Sequence, residues 1–147
     1  MQDLPHNFFQ SDSEEEAPRV LLVDDEAEIL RSFSRMLRSC DLQTAQGGAV
    51  AIQILEKRTD FDVVILDLMM PQTDGPAVLS WIQEHAPHLF DRVILVTAGA
   101  FTQRSFAFLS SWKGIVLEKP IRLNTIRRQV AQVFHRSKRS KSAGIVA

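Results

Sequence analysis

The sequence predicts an α/β domain in which a doubly wound, five-stranded parallel sheet is wrapped by five helices. Two observations predict it. From Arg19 to Phe134 short apolar runs alternate with segments whose apolar residues recur at helical spacing, the pattern of βα units in series. Most of those runs are apolar at every position, as strands covered on both faces must be. The length of 147 residues suits one such domain and is short for two.

Taken in order, residues 1–17 are rich in Ser, Glu and Asp and are bounded by Pro18, a composition that predicts a disordered acidic leader. The domain proper is placed at 18–136, with a basic flexible tail at 137–147. The predicted strands are Val20 to Val23, Leu42 to Ala45, Val63 to Leu66, Val93 to Val96 and Ile115 to Leu117. In the first helix Ile29, Leu30, Phe33, Met36 and Leu37 share one face. In the second, Val50 or Ala51 does so with Ile54 and Leu55. Pro76 marks the start of a third helix, where its missing N–H costs nothing, and the helix continues through Leu79 and Ile82. A less regular fourth helix is placed at about Thr102 to Ser110. A fifth carries Ile126, Val130, Val133 and Phe134 behind a candidate Asn124 cap. With right-handed crossovers, five βα units of this size fit the flavodoxin-like strand order 2-1-3-4-5.

Composition narrows the function. At 45% apolar and 24% charged residues the chain is neither wholly disordered nor fibrous. No apolar run approaches the roughly 20 residues that cross a bilayer, and the N-terminus lacks the basic-then-apolar pattern of a secretory signal; the expected location is cytoplasmic. The single Cys40 has no internal disulfide partner and is read as packing. Charge is segregated: residues 1–18 carry Asp3, Asp12, Glu14, Glu15 and Glu16 and no Lys or Arg, whereas residues 119–147 carry Lys and Arg and no acid. The basic end is read as a solvated helix end and linker, since no aromatic residues interleave its charges after Phe134, so neither a nucleic-acid nor a membrane partner is expected. His6, His85, His88 and His135 lack metal-ligand spacing. Trp81 and Trp112 are read as packing at helix or loop edges.

In an open parallel sheet ligands bind beyond the carboxyl ends of the strands. The residues there are Asp24, Asp25 and Glu26 after strand one, Asp67 after strand three, Thr97 after strand four, and Glu118, Lys119 and Pro120 after strand five. Strand two offers Gln46 and two glycines. In the order 2-1-3-4-5 the residues of strands one, three, four and five converge. Two carboxylates about 4 Å apart repel by roughly 4 kcal/mol at an effective dielectric of 20, so the pocket requires a cation beyond Lys119. Mg²⁺, with Mn²⁺ as an alternative, suits carboxylate oxygens and retains waters that a phosphate can replace. Metal, lysine, hydroxyl and a nucleophilic carboxylate together make up phosphoryl-transfer chemistry.

Four stretches, VLLVDDEAE (20–28), DVVILDLMMPQTDG (62–75), VILVTAG (93–99) and LEKP (117–120), resemble the signature segments of response-regulator receiver domains, the chemotaxis-regulator-like phosphoacceptor domains of two-component signalling. The resemblance spans about Arg19 to Phe134. It implies that Asp67 is phosphorylated by a sensor histidine kinase or histidine phosphotransfer protein, that Asp25 and Asp67 bind the metal directly, and that Asp24 acts on it mainly through water. The Met69 carbonyl would be a further metal ligand. Thr97 would be the switch hydroxyl, the Ala98 N–H a phosphoryl donor, and Lys119 the ion-pair partner of the aspartyl-phosphate. A cis bond before Pro120 and an output surface on helix four, strand five and helix five are likewise implied. Such a domain is a signalling module rather than an enzyme, its only chemistry being its own phosphorylation and dephosphorylation. A stand-alone regulator and a segment of a hybrid histidine kinase fit equally, and cognate kinase, output partner and oligomeric state are not encoded in these motifs.

Two positions depart from the family pattern. Val116 stands where many members carry a mobile aromatic ring, and Phe101 is the alternative candidate for the relay. Gly99 stands two residues past Thr97, where a longer side chain would hinder water. The loop Met70 to Gly75 is read as a turn that leaves Asp67 accessible, with Asp74 a turn former rather than a ligand. Two rivals are an Mg²⁺-dependent hydrolase using Asp67 as nucleophile, disfavoured because Met69 stands where its acid would be, and a degenerate receiver acting only as a binding module, disfavoured because all five pocket residues are present.

Overall fold

Strands that are apolar at every position need cover on both faces, and the chain provides it. The structure is a computed structural model that describes residues 16–99 and 102–146, with side chains given through Arg139. Its strands are β1 (Arg19–Asp24), β2 (Asp41–Gln46), β3 (Val63–Asp67), β4 (Val93–Thr97) and β5 (Ile115–Glu118). All pair in parallel in the order β2-β1-β3-β4-β5. The helices are α1 (Ala27–Met36), α2 (Gly48–Lys57), α3 (Gly75–His85), α4 (Gln103–Ser111) and α5 (Leu123–Val146).

The period-two alternation of each strand sorts its residues between two cores. Val20, Leu22, Val63, Ile65, Ile94 and Val96 face Leu30 and Phe33 of α1 and Ile126, Val130 and Val133 of α5. Leu21, Val23, Val64, Leu66 and Leu95 face Ala51 and Leu55 of α2 and Val78, Leu79 and Ile82 of α3. In α2 the buried stripe runs through Ala51, while Val50 is exposed. Edge strand β2 is only partly covered, in keeping with its polar residues.

Local chemistry sets the helix starts. Asp74 accepts a hydrogen bond from the Ala77 N–H at 3.0 Å and caps α3, with Pro76 in the first turn. Thr102 and Ser105 form a reciprocal capping box for α4. Gly75 allows the close return of the chain to β3: a Cβ there would lie 2.7 Å from the Leu68 Cα and 2.9 Å from the Asp67 carbonyl oxygen.

One expectation is corrected, and two features are added to the expected elements. Asn124 does not cap α5: the helix begins at Leu123, and the Arg122 carbonyl accepts the Ile126 N–H at 3.1 Å, placing Asn124 inside the first turn. The basic residues from 137 onward are part of α5, which runs through Val146, and Ser137 is buried. A sixth, short helix of the 3-10 type at Pro87–Arg92, begun by its proline, delivers the chain to β4 and buries Leu89. The leader expected at 1–17 lies, except for Glu16 and Ala17, outside the described residues, as does Phe101.

Candidate functional site

Parallel registry brings the strand ends into one row. Asp67 pairs with Val96 and Thr97 with Glu118 across β3, β4 and β5, while the Leu68 N–H donates to the Val96 carbonyl and the Lys119 N–H to the Thr97 carbonyl, both at 2.8 Å. Each residue that follows a strand is thereby anchored to its neighbour's last turn of ladder. The Lys119–Pro120 peptide is cis.

Within this row the Lys119 Nζ donates a 2.8 Å hydrogen bond to Asp24 and stands 3.7 Å from Asp67. Asp24, Asp67 and Thr97 are buried, with relative exposures of 2%, 4% and 2%, so these are strong interactions by virtue of excluded water. The other Asp24 oxygen accepts the Glu26 N–H at 2.9 Å. Asp25 is half-buried and Glu26 exposed, and one oxygen from each lies within 4.8 Å of the others and of an Asp24 oxygen. The Thr97 hydroxyl oxygen accepts the Gly99 N–H at 3.2 Å. Ala98, next to it, is exposed. Met69 is half-buried, and its backbone N–H faces the Asp67 carboxylate closely enough to favour the charged form.

Charge crowding is visible in the acid–base behaviour. Burial, followed by the charge of Asp24, pushes the Asp67 pKa up to about 7, against the opposing pull of Lys119 and the Met69 N–H. Burial works to lower the pKa of Lys119, but the hydrogen bond to Asp24 and the charges of Asp67 and Asp24 outweigh it, and the ammonium stays protonated more firmly than usual. One ammonium facing Asp24, Asp25, Glu26 and Asp67 leaves the pocket short of positive charge. This donor set, all carboxylate oxygen, fits Mg²⁺ or Mn²⁺.

The five residues that sequence reasoning placed around one pocket, Asp24, Asp25, Asp67, Thr97 and Lys119, thus sit along one sheet edge. Glu26 was not among the candidate ligands, although it directly follows the acidic pair. A second omission is Arg104, whose guanidinium makes hydrogen bonds of 2.9 and 3.3 Å to the Asp74 carboxylate and ties the start of α4 to the loop that follows Asp67. Asp74, expected as a turn former, is the N-cap of α3. Val116 is 40% exposed on the outside of β5, and the relay through Phe101 lies outside the described residues. Cys40 is packed against the α1–α5 core, where burial pushes its thiol up to about 12, against the opposing charge of Arg127. The rings of Trp81 and Trp112 pack partly buried against the other core.

Comparison with known proteins agrees with this geometry. Residues 20–131 match the family model described as the response regulator receiver domain. A two-component response regulator of rice, ORR26, is 33% identical over 122 residues, covering 80% of this chain and 20% of the relative. Transcription factor SKN7 of the fungus Chaetomium thermophilum is 28% identical over 97% of this chain and 19% of its own length. The chain therefore spans about a fifth of these relatives. Among solved structures, the signal receiver domain of a putative Luxo repressor protein from Vibrio parahaemolyticus superposes with a TM-score of 0.73 at 29% identity, covering 86% of this chain and 97% of that one. A matched segment that includes both the fold and the strand-end residues makes the conclusion plain: the chain belongs to the response regulator receiver domain family.

Proposed function

We propose that Asp67 accepts a phosphoryl group from a phosphohistidine of a sensor kinase or phosphotransfer protein, and that the domain passes this state to a partner protein. The observation that carries the reading is the position of the Asp67 carboxylate, buried at the strand-end pocket with Lys119 at 3.7 Å and Asp24 sharing the same ammonium. An Asp67 oxygen attacks phosphorus as the phosphorus–nitrogen bond to the donor imidazole breaks, the imidazole leaving with the bonding pair. Lys119 offsets the negative charge of the phosphoryl oxygens. The Thr97 hydroxyl, now bonded to the Gly99 N–H, turns to donate to a phosphoryl oxygen beside the Ala98 N–H.

Asp25, Asp67 and the Met69 carbonyl would hold Mg²⁺ or Mn²⁺, which when bound supplies charge neutralisation and an orientation for the incoming phosphoryl group. Asp24, with one oxygen on Lys119 and the other on the Glu26 N–H, acts at one remove through water. Glu26 adds negative charge at the rim. For the output, Phe106 of α4, Val116 of β5 and Leu123 of α5, with relative exposures of 63%, 40% and 39%, would form the apolar patch of the α4, β5 and α5 face. Such a patch suits a downstream protein and not a nucleic acid. The domain operates as a cytoplasmic signalling module; among the described residues no helix is long and apolar enough to cross a membrane.

The test is incubation with Mg²⁺ and acetyl phosphate followed by intact mass measurement of the parent and of Asp67→Asn. A phosphate-sized gain confined to the parent supports the reading. No gain in the parent marks a binding-only module, and sustained turnover of an external phosphoester marks a hydrolase; either outcome removes it.

A further inference from the structure

At the sheet edge opposite Asp67 lies a cavity of about 970 Å³, bounded by the 3-10 turn Pro87–Arg92, the end of α4, the starts of β4 and β5, and the middle of α5 around Val133, Arg136 and Ser137. That volume is at the upper end of the roughly 300–1,000 Å³ of clefts that receive ligands. Its wall is aromatic: Trp112 stacks on Phe108 with centroids 5.8 Å apart and meets Phe90 edge-on at 5.4 Å. Its rim is basic. Arg92, Lys113 and Arg136 line it against a single carboxylate, Asp91. Arg92 and Arg136 are held by the carbonyls of Phe61 and Asp91, and among the described residues none of the three cations forms a salt bridge.

The charge segregation along the chain supplies a complement. The segment 1–15 carries Asp3, Asp12, Glu14 and Glu15, no Lys or Arg, and the adjacent rings Phe8 and Phe9. The chain enters β1 at Arg19, on the same edge of the parallel sheet as the cavity, and β4 is two strands away from β1. Two strand spacings are roughly 10 Å. From Glu16 to Phe9 the chain can extend roughly 23 Å, so both rings are within reach, and a tether this short gives an effective concentration on the order of millimolar.

We propose that the acidic segment 1–15 docks intramolecularly on this cavity, its Phe8 and Phe9 against the Phe90, Phe108 and Trp112 wall and its carboxylates toward Arg92, Lys113 and Arg136. The cavity is thereby an autogenous binding site on the face remote from the phosphoacceptor. Ring burial supplies the affinity, and the charges orient the segment and make its docking sensitive to salt.

The test uses the full chain carrying Trp81→Phe, so that Trp112 is the only indole, with and without Phe8→Ala/Phe9→Ala. Acrylamide, a neutral quencher, reports access to Trp112. Removing the two rings is expected to raise the quenching constant roughly twofold, and about 1 M salt to raise it in the parent alone. In the chain with both tryptophans, the indole N–H resonance of Trp112 shifts with the double Phe change while that of Trp81 does not, which guards against a disturbance from Trp81→Phe. Equal quenching and an unmoved Trp112 resonance overturn the proposal. Shielding that disappears on dilution also overturns it, because the occupant is then the leader of a second copy. Neither readout involves Asp67, so the result is independent of the phosphoacceptor reading.

Discussion

Arg104 at the start of α4 and Asp74 at the start of α3 are joined by two hydrogen bonds, and the same Asp74 carboxylate caps α3 through the Ala77 N–H. One side chain thus fixes two helix starts and the loop that follows Asp67. Burial works to raise the pKa of Asp74, but the Arg104 hydrogen bond and the Ala77 N–H outweigh it and hold the carboxyl below its ordinary value. The two partners are separable by mutation. Arg104→Ala is expected to speed amide hydrogen exchange in α4 while leaving α3 unchanged, since the cap survives. Asp74→Ala removes both, costs about 1 kcal/mol through the lost cap, and speeds exchange in both helices. Unaltered α4 exchange in Arg104→Ala would show that the pair does not restrain that helix.

The raised Asp67 pKa gives a pH dependence with a definite sign. Between its ordinary value of 3.8 and about 7 the folded state binds a proton that the unfolded state has released. Stability of the metal-free protein therefore falls as pH rises through that window and levels off above it. After allowance for solvent screening the contribution is on the order of 1–3 kcal/mol. Asp67→Asn should flatten this slope and make the metal-free protein the more stable of the two at pH above 7. Added Mg²⁺ should stabilise the parent there far more than the variant. Urea unfolding midpoints across the pH range, with and without Mg²⁺, check each part. A parent whose slope between pH 4 and 7 matches that of Asp67→Asn would refute the assignment.

Among the described residues, Lys119 is the only ammonium placed between Asp24 and Asp67. Replacing it by Met keeps the aliphatic stem and removes the charge, leaving two buried carboxylates to repel each other. The expected cost is roughly 2 kcal/mol in metal-free buffer, with acetyl phosphate labelling of Asp67 strongly reduced. Coupling identifies the cause: Lys119→Met combined with Asp24→Asn should lose less stability than the sum of the single changes, measurable as a double-mutant cycle. Strict additivity would mean that the 2.8 Å contact carries no net energy.

The features legible in the sequence were those that each strand encodes by itself. Runs such as Val63 to Leu66 announce strands buried on both faces, and the chain direction in a parallel sheet then delivers Asp24, Asp67, Thr97 and Lys119 to one edge whatever the helices do. Features that depend on where two segments happen to meet were not legible. Arg104 and Asp74 are 30 positions apart, and nothing local in either residue names the other. Glu26 carried a signal, its place beside Asp24 and Asp25 at the end of the first strand, but its carboxylate was not carried forward as a ligand. At α5, Asn124 has the chemistry of a cap, but the helix starts at Leu123, with Ile126 already packed in the core, so position overrode propensity. Beyond Phe134 the helix continues and buries Ser137, which charge counting along 137–147 does not reveal.

Gly75 offers the last prediction, one in which helix propensity and packing give opposite signs. As a first-turn residue of α3, replacement by Ala gains up to about 1 kcal/mol of intrinsic helix propensity. The added Cβ, however, meets the Leu68 Cα at 2.7 Å and the Asp67 and Leu68 carbonyl oxygens at 2.9 Å, all of them backbone atoms. Overpacking against atoms that cannot rotate away costs roughly 1–3 kcal/mol, so the net change is destabilising. Because the displaced backbone belongs to Asp67 itself, the nucleophile moves relative to Lys119, and labelling by acetyl phosphate should slow even at temperatures where the variant is fully folded. Thermal unfolding together with the labelling rate of Gly75→Ala checks both consequences; a stabilised variant labelled at the parent's rate would show that the loop relaxes without moving Asp67.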